Sequence, residues 1–97
     1  MVTYVSLMNF TDQGIKTIKD SPKRAAAAAE AAKKFGVTMR EVLWTQGQYD
    51  LVCILDGPDE QAISAFGLAV AAQGNVRAQT LRAFSKDDMG LILGKLP

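Results

Sequence analysis

Histidine is missing from this chain altogether and cysteine occurs once. The first absence excludes a histidine-based zinc site, a Ser-His or Cys-His nucleophile and a proximal haem ligand, and the second excludes an internal disulfide. A surplus of one charge is missing too. Eleven basic and ten acidic residues leave a net charge of +1, so nothing in the electrostatics asks for a nucleic acid or another polyanion as partner. No apolar run approaches the roughly 20 residues that cross a bilayer. Residues 1–10 lack the basic start, apolar run and small-residue cleavage site of a leader, so a cytoplasmic chain with no membrane partner is expected. No glycine-rich phosphate loop and no metal-ligand spacing occurs, so neither a cofactor nor a metal is expected.

What is present is a sequence of 97 residues, 48 % hydrophobic, enough for one core and hence one domain over residues 1–97. Its organising stretch is 41–56, in which two apolar runs, Val42-Leu43-Trp44-Thr45 and Leu51-Val52-Cys53-Ile54-Leu55, flank Gly47. That is hairpin chemistry, with glycine supplying the positive φ of the turn. Before it, residues 2–10 alternate like a strand, and Thr11 stands where it can cap a short helical turn. Ser21-Pro22 predicts a helix N-terminus, with Ser21 as cap, and the alanine-rich run to Phe35 sustains the helix until Gly36 stops it. After the hairpin, Pro58-Asp59 opens a second helix whose Ile63, Phe66 and Val70 recur at helical spacing. Residues 76–84 read as a last strand. Ser85-Lys86-Asp87-Asp88 is a capping-box pattern, and Met89, Ile92, Leu93 and Leu96 mark a short amphipathic helix expected to dock on the body.

The order β-α-β-β-α-β is the split plan of a ferredoxin-like α+β domain: a four-stranded antiparallel sheet with its helices on one face and the first and third strands central. The third strand is apolar on both faces, and one helical layer covers only one of them. The second cover expected is another copy, packed sheet to sheet as in dimeric α+β barrels.

Six residues stand out as ligand candidates: Tyr4, Trp44, Gly47, Tyr49, Asp50 and Arg82. Tyr49 and Asp50 beside Gly47 either line a small-molecule site or satisfy the turn and fill the core edge. Arg82, in mid-strand, either holds a substrate carboxylate or pairs internally with Glu41 or Asp50. Tyr4, Trp44, Met8 and Phe84 either enclose an apolar cavity or form ordinary core. Cys53 between Val52 and Ile54 reads as a buried, inert thiol. The basic run Lys16, Lys19, Lys23, Arg24 is interspersed with Asp12 and Asp20 and reads as a solvated face.

Trp44-Thr45-x-Gly47-x-Tyr49-Asp50, together with Tyr4-Val5-Ser6-Leu7 and Gly74-Asn75-Val76-Arg77-x-x-Thr80-x-Arg82-Ala83-Phe84, resembles the small bacterial GYD-domain family, in its spaced form because Gln48 interrupts the name-giving tripeptide. The resemblance implies the fold but no biochemical function. Gly47-x-Tyr49-Asp50-Leu51-Val52 and Gly74-x-Val76-x-x-x-Thr80 are more loosely similar to the effector-binding domain of leucine-responsive-type regulators. That resemblance implies dimerisation through sheets and a ligand near the hairpin glycine, but the helix-turn-helix domain of such regulators is missing here. The expectation is therefore a non-enzymatic, self-associating module with a small metabolite near Gly47, Tyr49 and Asp50. The competing expectation is a cofactor-independent enzyme of the dimeric barrel type, monooxygenase-like or isomerase-like, weakened by the absence of histidine.

Overall fold

The computed structural model describes residues 1–97. The elements are β1 (Val2–Phe10), α1 (Asp12–Lys16), a 3-10 turn (Ile18–Asp20), α2 (Ser21–Lys33), β2 (Thr38–Trp44), β3 (Leu51–Gly57), α3 (Glu60–Ala72), β4 (Val76–Ala83) and α4 (Lys86–Leu93). The strands form one sheet in the order β2-β3-β1-β4, and all three pairings are antiparallel. With β1 and β3 central, both crossovers place α2 and α3 on one side, so the expected ferredoxin-like α+β architecture is what the chain adopts.

Alternation along each strand sorts the side chains. Leu51, Cys53 and Leu55 of β3 face the helices and are buried, alongside Ser6 and Met8 of β1. A bulge between Met39 and Glu41 lets both Met39 and Val42 of edge strand β2 turn toward that side. From above, Ile63 and Phe66 of α3 and Ala32 of α2 complete the core, with Phe66 tilted against Phe35 at 5.8 Å between ring centroids. Asp59 caps α3 by accepting a hydrogen bond from the Ala62 N–H at 2.8 Å.

Two local expectations are corrected. Ser21 is not the cap of α2: the 3-10 turn runs into the helix with Asp20 and Ser21 both in helical backbone, so the Ser21 hydroxyl is left to accept from Trp44 Nε1 at 3.0 Å. The C-terminal helix forms with its capping box, Ser85 to the Asp88 N–H and Asp88 to the Ser85 N–H, but it does not dock on the body. Leu91, Leu93 and Leu96 stay more than half exposed, and the molecule extends to 52 × 31 × 17 Å.

Candidate functional site

The six candidate residues fall in three separate places. Gly47 tops the β2–β3 turn at φ +108°, and a Cβ there would meet nothing within 4 Å, so its role is backbone conformation. Beneath it the turn is tied by Thr45 N–H to Asp50 O (2.8 Å) and Thr45 Oγ1 to Tyr49 O (2.6 Å). Asp50 continues the ladder onto β1: its N–H donates to Met8 O at 2.8 Å and its Oδ2 accepts from the Phe10 N–H at 2.9 Å. The carboxylate thus holds the end of β1 where the main-chain pairing stops. Tyr49 donates its hydroxyl to Gln79 Oε1 (3.0 Å), over a shallow polar cleft between Leu7, Asn9, Arg77 and Gln79.

Tyr4 and Arg82 are paired at the other end of the sheet. The guanidinium lies 4.6 Å from the Phe84 ring centroid and 5.7 Å from that of Tyr4, and donates to the carbonyls of Thr3 and Ala83. The expected ion pair with Glu41 or Asp50 does not form. Glu41 is on β2, the opposite edge of the sheet, and Asp50 sits at the Phe10 end of β1, whereas Arg82 pairs near its start. An exposed guanidinium on aromatic faces is held by cation–π attraction instead.

Trp44 is the third place, its indole bonded to Ser21 and the residue 46 % exposed. The cavity expected from Tyr4, Trp44, Met8 and Phe84 exists in another form. Its volume is about 110 Å³ and it lies between the sheet and the two long helices, lined by Met8 but by none of the other three. Ser6, Cys53 and Thr80 are in its floor, with Ser6 Oγ and Thr80 Oγ1 3.4 Å apart. Burial pushes the Cys53 thiol up to about 11, which keeps it protonated and unreactive at neutral pH. Arg24, Gln73 and Asn75 also line this cavity. The sequence carries no signal for them, because Arg24 belongs to a basic run and the alanines after it reveal nothing of which side they present.

The face of the sheet turned away from the helices carries Val5 and Leu7 of β1, Leu43 of β2, Val52 and Ile54 of β3 and Leu81 of β4, aligned by register. Around this apolar stripe lie Thr3, Arg40 and Asp56. Thr3 Oγ1 donates to Asp56 Oδ1 at 2.6 Å and Arg40 Nε lies 3.3 Å from Asp56 Oδ2. No helix of the chain is long and apolar enough to cross a membrane.

A four-stranded antiparallel sheet with all its long helices on one face, and an apolar stripe left bare on the other, defines a ferredoxin-like α+β domain. The chain belongs to the GYD domain family, whose profile matches residues 4–93. It is 29 % identical over 90 residues to the glutamine synthetase and cystathionine beta-lyase binding protein of Thermus thermophilus, covering 92 % of this chain and 95 % of that one. Among solved structures it is similar to TTHA0845 from Thermus thermophilus, with a TM-score of 0.57, 24 % identity, and coverage of 88 % of this chain and 95 % of that one. It is also similar to a glycine-to-threonine mutant of Rv3291c, with a TM-score of 0.68 at 12 % identity. That match covers 89 % of this chain but only 52 % of the other, so the present chain spans about half its length. At such identities the structural likenesses establish the fold.

Proposed function

We propose that this chain is a non-enzymatic binding module that self-associates through the bare face of its sheet and, in that form, docks on a protein partner. The observation that carries the reading is the apolar stripe of Val5, Leu7, Leu43, Val52, Ile54 and Leu81, contributed by all four strands and opposite the helical layer. Two such faces, packed about 10 Å apart, would shield each other as the two sheets of a sandwich do. A stable interface needs roughly 800 Å² from each partner. Four strands at about 4.8 Å and eight residues at about 3.3 Å give a flat face of only about 500 Å². The undocked apolar side of α4, with Leu93 and Leu96 more than half exposed, adds surface for the remainder.

The relative from Thermus thermophilus is named for binding two enzymes, which supports an enzyme as the protein partner here. We place no ligand at the hairpin, because Asp50 and Tyr49 are already engaged by Phe10, Met8 and Gln79. Nor does the geometry favour catalysis: the candidate residues are divided among three places, and the titratable thiol in the cavity is held neutral.

Sedimentation equilibrium tests the self-association. The unaltered chain is expected to sediment as a dimer or larger closed assembly and Ile54→Lys as a monomer, with unchanged far-ultraviolet circular dichroism. An unaltered chain that stays monomeric at high concentration would overturn the reading. The partner is tested by surface plasmon resonance against glutamine synthetase from the same organism, where binding should be lost with Ile54→Lys.

A further inference from the structure

The helices α2 and α3 share one face of the sheet without closing over it. α2 packs on β2 while α3 packs on β3 and β4, and the 110 Å³ cavity is what remains between them. Its walls are chemically lopsided. Fifteen of 22 lining residues are hydrophobic, no carboxylate is among them, and the single charged one is Arg24.

That arginine is held in place. Its Nη1 donates to Thr17 O (3.0 Å) and Thr17 Oγ1 (2.9 Å), and its Nη2 donates to Gly14 O (3.2 Å). A guanidinium has five N–H donors, so two are left without a protein acceptor. Gly14 is itself pressed against the start of β4, since a Cβ there would come within 2.0 Å of Asn75 O. The same corner orients Asn75, whose Oδ1 accepts from Gln13 Nε2 at 2.9 Å, leaving its NH₂ as a further donor. At one end of the cavity the lining therefore includes a tethered arginine and an asparagine, and no carboxylate of the protein lines it.

We propose that this cavity binds a small apolar carboxylate, with the acid group on Arg24 and Asn75 and the hydrocarbon against Met8, Leu55, Phe66 and Val70. An arginine fork suits a carboxylate in geometry and charge, and the pair is strengthened beside an apolar wall. Size sets the other limit. A dry cavity of roughly 150 Å³ is known to take benzene, so 110 Å³ suits the hydrocarbon part of a short-chain acid better than that of a long fatty acid. The thiol of Cys53 and the hydroxyls of Ser6 and Thr80 are neutral and leave the single charge of the ligand to Arg24.

The site is intrinsic to one chain, so it does not depend on the sheet-to-sheet association, which Ile54→Lys tests separately. Titration of the full chain with butanoate, hexanoate and octanoate, and with hexan-1-ol as the uncharged control, is read by calorimetry and by the methyl resonances of Met8 and Met39. Hexanoate is expected to bind saturably, shift both methyls and exceed hexan-1-ol by about tenfold or more, the range of one charge-assisted contact. Arg24→Gln should erase that preference, whereas Arg24→Lys should retain part of it. Gly67→Leu, at a lining position where a Cβ meets nothing within 4 Å, should weaken both ligands with the fold intact by circular dichroism. No saturable binding of any acid at millimolar concentration, or an acid preference that survives Arg24→Gln in a folded protein, would overturn the proposal.

Discussion

The two faces of β3 differ more in surroundings than in composition. Leu51, Cys53 and Leu55 are 3–5 % exposed, while Val52 and Ile54, their neighbours on the same strand, are only half-buried. Both sets are apolar. The difference is the layer above: α2 and α3 cover the first set and nothing in the chain covers the second. Apolar side chains on a covered face stabilise the fold, and on a bare face they are available to an assembly.

That contrast can be broken by measurement. Phe66→Ala, in the covered layer, is expected to lower unfolding free energy by about 3–5 kcal/mol in urea titrations. Val52→Ala in the monomeric Ile54→Lys background should cost under about 1.5 kcal/mol, because part of its side chain already meets water. Equal losses would erase the distinction between the faces. Asp50→Ala should cost about 1.5–3 kcal/mol, since it strips a charged acceptor from the Phe10 N–H, and an unchanged midpoint would free that carboxylate for a ligand. Trp44→Phe, which removes the indole donor to Ser21 and trims a half-exposed ring, should cost about 1 kcal/mol. The smallest effect is invisible at neutral pH. The folded Cys53 thiol titrates near 11 against an ordinary 9.0, so its contribution is complete below pH 9 and is lost as pH rises toward 11. Cys53→Ala should flatten that part of the stability profile, and at pH 8 iodoacetamide should label the native thiol far more slowly than the unfolded one.

Legibility in the sequence followed the range of the interaction. The Gly47 turn, the Thr11 and Ser85 caps, and the strand alternation depend on neighbours a few residues away, and each is found where its residues place it. Ser21 misled because an unforeseen 3-10 turn entered the helix from behind. Arg82 misled because its partners depend on strand order, which sets Glu41 at the far edge and Tyr4 alongside. The grouping of the candidate site was illegible for the same reason, as Arg24 and Asn75 are 51 positions apart and come to line one cavity only through tertiary packing, with Gly14 between them and against the start of β4.

What the amino-acid order determined alone was the succession of strands and helices and the double-sided apolarity of β3, because propensity, capping and periodicity act locally. Only the tertiary structure decided that α4 stays off the body, that the two long helices stop short of closing over the sheet, and that the gap between them holds one arginine. Those outcomes rest on how far apart packed layers sit, and that spacing is a property of the assembled fold that no single stretch of chain encodes.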